Sequence, residues 1–254
     1  MKQIQALFFD IDGTLLEFGK NRIQDSVVES IQAAQKKGYK IALASSRPLT
    51  IINDVENIWD IHWDGIVAGS GTLIYDENKT IYKDHSLSKE TLKQIFQLAK
   101  DNNIAVYTCG KESFFTNWNS LTQWLQKTYH VTSNIVHPYQ NESVQLITLL
   151  SSDYNALLNT FKDVSGIRLV KGGPHNADIF PAQINKCTGI HELMKKWNLA
   201  KQNYMCFGDT CGDHDMILDA HIGIAMKNGM EETKQIADYV CQSIPEGLIH
   251  FHIL

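Results

Sequence analysis

Short apolar runs that close on acidic or hydroxyl residues set the rhythm of the N-terminal third. Ala6-Leu7-Phe8-Phe9 stops at Asp10 and is too short for a helix, so it predicts a buried strand over 5–9. Ile23, Val27, Val28, Ile31 and Ala34 share one helical face, and Gly38 after Lys36-Lys37 ends that helix. Residues 40–44 and 65–68 are two further apolar runs. Strand–helix–strand at this pitch predicts parallel pairing in a sheet covered on both faces. Open sheets of this kind bind ligands beyond the carboxyl ends of their strands, where Asp10 and Ser45 fall.

The pattern changes after Thr72. Runs at 73–75 and 80–82 flank Asp76-Glu77-Asn78-Lys79 as a hairpin. Helices are expected at 89–100, 121–129 and 154–162, with strands at 104–107, 113–117, 144–150, 167–170 and 178–180. Hairpins mixed with helices predict an α+β insertion. From Asn185 the βαβ alternation returns, with helices at 188–197, 213–219 and 231–237 and strands at 204–207 and 222–225. The expected class is α/β: a Rossmann-like parallel-sheet core at 1–82 and 184–254, and an inserted α+β domain at 83–183.

Charge narrows the choice of partners. The 254 residues carry 23 Lys+Arg against 28 Asp+Glu, a net charge of −5. That balance argues against a nucleic-acid partner, which calls for a basic face, but admits a small anion held by a few placed cations. The five cysteines are odd in number, scattered and without a C-x-x-C pair, which predicts reduced thiols. No stretch approaches the ~20 apolar residues of a membrane span, and the first apolar run is too short for a signal peptide. The expected location is the cytoplasm, with no membrane partner.

Two acidic motifs carry the candidate chemistry. In Asp10-Ile11-Asp12-Gly13-Thr14, strand alternation sets both carboxylates on one side, and Gly13 allows a sharp turn. One carboxylate there can attack phosphorus while the other exchanges a proton with the leaving oxygen. An ordinary strand-ending turn also uses Asp and Gly. In Gly208-Asp209-Thr210-Cys211-Gly212-Asp213, two acids four apart suit a hard divalent cation, or equally the acidic first turn of a helix. Ser45 and Arg47 end the second strand, and Lys186 follows the insertion; a bidentate Arg fork suits phosphate.

In this order, D-x-D-G-T, strand-end Ser, Lys and G-D-x-x-x-D resemble the haloacid dehalogenase-like hydrolase superfamily. The stretch from Ile224 to Glu232, with Ala237-Asp238-Tyr239-Val240, adds to the likeness. An insertion of this size between Ser45 and Lys186 resembles the subfamily IIB, Cof-type cap (C2B). The resemblance implies Mg²⁺-dependent hydrolysis of a small phosphorylated metabolite, a sugar phosphate, through an aspartyl-phosphate. It implies Asp10 as nucleophile and Asp12 as general acid/base, with Ser45 and Lys186, joined by Arg47, on the phosphoryl group. Asp10, the carbonyl of Asp12, and Asp209 would hold Mg²⁺, with Asp213 supporting its water shell. A phosphomutase or phosphotransferase of the same fold, or a binding protein that has lost turnover, stays open beside it. The chain departs from the family pattern at Ser45-Ser46-Arg47 for Thr-Gly-Arg, Ser70-Gly71-Thr72 for Asn-Gly-Ala, and Gly212 for Asn.

Other groups weigh less. Cys206, Cys211, His214 and His221, with Cys187 and His191, make a zinc site only on paper, because C-x-x-x-x-C is loose and Cys206 lies in an apolar strand. His130, His137 and His175 read as loop histidines of the insertion.

Overall fold

The structure is a computed structural model that describes residues 4–110, 113–128, 131 and 133–254. Tyr129 and His130 of the sequence reading therefore lie outside the described residues. In chain order, the described elements are β1 (Ala6–Phe9), α1 (Asp25–Lys36), β2 (Lys40–Ala44), α2 (Leu49–Ile52), β3 (Gly65–Ala68), β4 (Leu73–Asp76) and β5 (Ile81–Asp84). Then come α3 (Lys89–Asp101), β6 (Ala105–Gly110), β7 (Phe114–Phe115), α4 (Ser120–Thr128), β8 (Val144–Leu150), α5 (Tyr154–Phe161), β9 (Ile167–Lys171) and β10 (Asn176–Pro181). The last are α6 (Lys186–Lys196), β11 (Tyr204–Gly208), α7 (His214–Asp219), β12 (Ile222–Met226), α8 (Glu231–Ile236), β13 (Tyr239–Cys241) and α9 (Ile244–His250). The chain divides into two compact units, 1–83 with 185–254, and 84–184.

The first unit is built on an α/β sheet in the order β13-β12-β11-β1-β2-β3-β4-β5. Parallel pairing runs from β13 to β3, and β1 lies inside it with Phe9 opposite both Phe207 and Leu43. Because β1 is covered on both faces, its four residues are all apolar and fully buried. Leu7 and Phe9 pack with Ile31 of α1 and Leu248 of α9, while Ala6 and Phe8 pack with Ile190 and Leu193 of α6. β4 turns back antiparallel to β3. The reversal uses three consecutive left-handed residues, Gly69, Ser70 and Gly71 (φ +56°, +54°, +96°). Two of these are glycines, as that conformation favours.

Helix α6 begins two residues earlier than the expected 188 because Asn185 caps it. The Asn185 side chain accepts from the Thr188 N–H at 2.8 Å, and Thr188 Oγ1 accepts from the Asn185 N–H at 3.0 Å. The helix lies close to β3 at Gly189, where an added Cβ would come within 2.4 Å of Val67 Cγ1.

The inserted unit is a five-stranded sheet, β7-β6-β8-β10-β9, with antiparallel neighbours. Leu92, Ile95 and Phe96 of α3 and Leu157 and Phe161 of α5 cover one face; Leu125 of α4 packs on the other beside Tyr107 and Phe180. The strand expected over 113–117 narrows to Phe114–Phe115. Beyond it, the Thr116 hydroxyl takes the Val106 N–H at 3.1 Å, and Asn119 caps α4 through the Leu121 and Thr122 N–H groups. Asp178 of β10 accepts from Thr148 Oγ1 at 2.7 Å, yet burial pushes its carboxyl up to about 6.

Two outcomes follow from this packing. Gly189→Ala gains roughly 1 kcal/mol of helix propensity but forces a stiff β-branched neighbour aside, for a net loss of about 1–2 kcal/mol. Val67→Ala in the same chain is expected to recover part of that loss in urea denaturation. The raised Asp178 carboxyl contributes stability below the ordinary carboxylate pKa that is lost as pH rises through about 6. Asp178→Asn is therefore expected to unfold at higher urea than the wild type at pH 8, with the gain shrinking or reversing at pH 4.

Candidate active site

The first acidic motif leaves β1 where β11 runs alongside it. The Asp10 N–H donates to the Phe207 carbonyl at 3.0 Å, which holds the strand ends in step. Gly13 then adopts φ +80°, and a Cβ there would fall 2.1 Å from Asp209 Oδ2. Only glycine lets the two acidic loops approach this closely. Asn228 Nδ2 donates to the Gly13 carbonyl at 2.8 Å, and the Met230 N–H donates to the Asp209 carbonyl at 2.8 Å. The loop after β12 thus fastens both.

Lys186, first residue of α6, reaches into this cluster. Its Nζ lies 2.6 Å from Asp10 Oδ1 and 2.7 Å from Asp213 Oδ1, with the three side chains 4%, 7% and 0% exposed. Asp213 Oδ2 accepts the Asp209 and Thr210 N–H groups, both at 3.0 Å. One Asp213 oxygen thus serves the start of the helix and the other the Lys186 ammonium. Asp209 is fully buried; its Oδ1 faces Thr14 Oγ1 at 3.5 Å, and its Oδ2 has no hydrogen-bond partner among the described residues.

The electrostatics are short of positive charge. Burial holds the Asp10 carboxyl well above the ordinary range, against the pull of Lys186. Burial and the neighbouring Asp213 push Asp209 up to about 7. Burial alone would lower the Lys186 ammonium, but Asp10 and Asp213 outweigh it and raise its pKa.

Asp12 sits differently, with its side chain 49% exposed. Arg47 grips both of its oxygens, Nε to Oδ2 at 2.8 Å and Nη2 to Oδ1 at 2.6 Å. Ser45 is buried, and its Oγ accepts the Arg47 N–H at 3.1 Å. The reversing turn is tied to the same loop, Ser70 N–H to the Ser45 carbonyl and Gly69 N–H to the Arg47 carbonyl, both at 3.0 Å. Asp10, Asp209, Asp213 and Lys186 thus form one cluster, and Asp12, Arg47 and Ser45 a second group beside it. Sequence reasoning gave no role to Thr14 or Asn228. An Asn-Gly pair directly after a strand was the available signal for Asn228.

The haloacid dehalogenase-like hydrolase model matches residues 7–251. The chain belongs to this family. Among its curated relatives is the YkrA protein of Bacillus subtilis, 23% identical over 98% of this chain and 96% of that one. Another is 5-amino-6-(5-phospho-D-ribitylamino)uracil phosphatase YcsE of the same organism, 20% identical over 96% and 93%. The solved structure of BT4131, a HAD subclass IIB sugar phosphatase, superposes with a TM-score of 0.88 at 26% identity, covering 98% of this chain and 100% of that one.

Phosphatases of this hydrolase superfamily generally use a divalent metal. The residues here fit one. Donor oxygens of Asp10, Asp209 and Asp213 lie within 4.8 Å of one another, all three residues are buried, and Asp209 Oδ2 has no hydrogen-bond partner among the described residues. An all-oxygen set of this charge suits a hard cation. The six residues of the paper zinc site do not assemble as one set, although Cys187 and His191 are neighbours on α6. Cys206 donates to the Met216 carbonyl, Cys211 is exposed, and His214 faces Thr233 Oγ1. Of the insertion's histidines, His137 stacks on Phe114 and His175 meets Trp124 edge-on.

Replacing Lys186 by Met leaves buried carboxylates without their cation. In chelator, the unfolding free energy is expected to fall by about 3–5 kcal/mol, read by urea denaturation. A loss under 1 kcal/mol would show that the ammonium is not what holds the cluster together.

Proposed function

We propose that this hydrolase is a Mg²⁺-dependent phosphatase that cleaves a small soluble phosphomonoester, a sugar phosphate, through an aspartyl-phosphate on Asp10. The observation that carries this reading is the buried Lys186 ammonium shared by Asp10 and Asp213, beside an Asp209 oxygen with no hydrogen-bond partner among the described residues. A carboxylate and a phosphate dianion repel each other, and Lys186 offsets that repulsion at the attacking atom. Mg²⁺ held by Asp10, the Asp12 carbonyl and Asp209, with Asp213 behind its water shell, would supply further charge neutralisation at the phosphoryl oxygens. The sugar phosphatase among the solved relatives favours a sugar phosphate. The inserted unit is read as the cap domain and the source of substrate selectivity.

The two carboxylates then divide the work by environment. An Asp10 oxygen attacks phosphorus and the ester P–O bond breaks, while Asp12 gives its proton to the leaving oxygen. In the second half Asp12 takes a proton from the water that attacks the acyl phosphate, which frees inorganic phosphate and restores Asp10. Asp12 is half open to solvent, as a group that trades protons with substrate and water needs to be, and the Arg47 fork releases one of its oxygens for that exchange. Ser45 and Lys186 hold the phosphoryl group, and Arg47 reaches it from its place beside Asp12.

A panel of phosphomonoesters with and without a hydroxyl acceptor tests this. Inorganic phosphate is expected with Mg²⁺ and none in excess chelator; a phosphorylated acceptor instead would assign phosphotransfer. With a labelled aryl phosphate, Asp12→Asn is expected to retain label that hydroxylamine releases, and Asp10→Asn none. Label on Asp10→Asn, or on a Ser or His, would overturn the assignment.

A further inference from the structure

Away from the carboxylate cluster, three side chains of different chemistry converge where α6 meets α7. Cys187 and His191 are four residues apart on α6 and face the same way, and Asp219 closes α7. His191 Nε2 lies 3.4 Å from Cys187 Sγ and 2.6 Å from Asp219 Oδ2, and the three donor atoms all fall within 4.8 Å of one another. One ring nitrogen therefore faces a sulfur and a carboxylate oxygen at once. A proton on Nε2 serves one of them, whereas a metal cation serves all three. A nucleophile–base–acid relay would use the two ring nitrogens separately, which this geometry does not.

The surroundings favour a cation. Asp219 and Asp215 set negative charge beside the Cys187 thiol, and Lys201 acts on Asp219 from the other side. The Tyr204 hydroxyl donates to the Met216 carbonyl at 3.0 Å and stands 3.2 Å from Asp219 Oδ2 and 4.0 Å from Cys187 Sγ. The side chains of His191 and Asp219 are each 21% exposed, so water has access to a further coordination position.

We propose that Cys187, His191 and Asp219 form a zinc site that clamps α6 to α7. A thiolate, an imidazole and a carboxylate suit zinc and disfavour magnesium. Tetrahedral donors with bonds of roughly 2.0 and 2.3 Å stand about 3.5 Å apart, close to the Sγ–Nε2 separation, and the 2.6 Å Nε2–Oδ2 hydrogen bond opens as the ion enters. Binding releases the thiol proton to solvent and leaves the imidazole proton on Nδ1. Helix α6 begins with Lys186, and α7 directly follows Asp213. The clamp would therefore fix the two helix starts that set the ammonium against its carboxylates.

Titration of the chelator-stripped full chain with Co²⁺, in excess Mg²⁺, tests the proposal. The expected result is a near-ultraviolet thiolate-to-cobalt charge-transfer band with strong four-coordinate visible bands, saturating at one cobalt per chain and displaced by Zn²⁺. The bands should vanish in Cys187→Ser and persist in Cys211→Ser. If Cys187→Ser does not fold, His191→Gln and Asp219→Asn carry the same test at partly exposed positions, each expected to weaken Co²⁺ binding about tenfold or more. Added Zn²⁺ should also raise the melting temperature of the wild type and not that of a folded ligand variant. A wild type without the charge-transfer band, or a band lost in Cys211→Ser and kept in Cys187→Ser, overturns the site.

Discussion

One ammonium held between buried carboxylates governs the geometry of the first unit. Removing Lys186, Asp10 and Asp213 from water is costly, and their attraction offsets that cost only at close, well-oriented contact. The surrounding backbone supplies the orientation. β1 and β11 run parallel and in step, so the acids that follow them emerge at the same level. Amide N–H groups occupy the second oxygen of Asp213, and the loop after β12 ties down the carbonyls of Gly13 and Asp209. The sheet order and the cap of α6 serve one contact of 2.6 Å, and the glycine at position 13 makes room for Asp209 beside it.

The first motif places two identical side chains, two residues apart, in opposite surroundings. Asp10 is buried against an ammonium; Asp12 is half exposed and gripped by a guanidinium. Arg47 links the pair to the Ser45 loop, and through Gly69 and Ser70 to the turn that reverses the sheet. A change at Ser70, where this chain departs from the family pattern, therefore acts on backbone that reaches Asp12 through two hydrogen bonds and one ion pair.

Local pattern in the sequence was enough for the strands and for the acidic motifs, because burial on both faces demands unbroken apolar runs and each motif lies at the end of one. It was not enough where partners are distant in the chain. The Arg47–Asp12 fork spans 35 positions and the Asn228–Gly13 bond 215, and neither leaves a periodic trace. The antiparallel return of β4 depends on three left-handed residues whose composition reads only as a loop. Helix α6 was placed from its apolar face, which begins after the Asn185 cap has already started the turn that carries Lys186. Asp219 escaped notice beside Cys187 and His191 because it comes from another helix, 28 positions away from His191.

The central place of β1 also bears on how the chain reaches this state. Its partner on one side, β2, follows within a few dozen residues, but the partner on the other side is β11, at the far end of the sequence. During synthesis the strand that carries the nucleophile candidate has one open edge until residues 204–208 arrive, and every residue on that edge is apolar. Such an edge is a template for pairing with other chains. The inserted unit has no such wait, since its strands come from one continuous stretch between Ala105 and Pro181. The nascent chain thus holds every described strand of the inserted sheet before β1 can be paired on both edges.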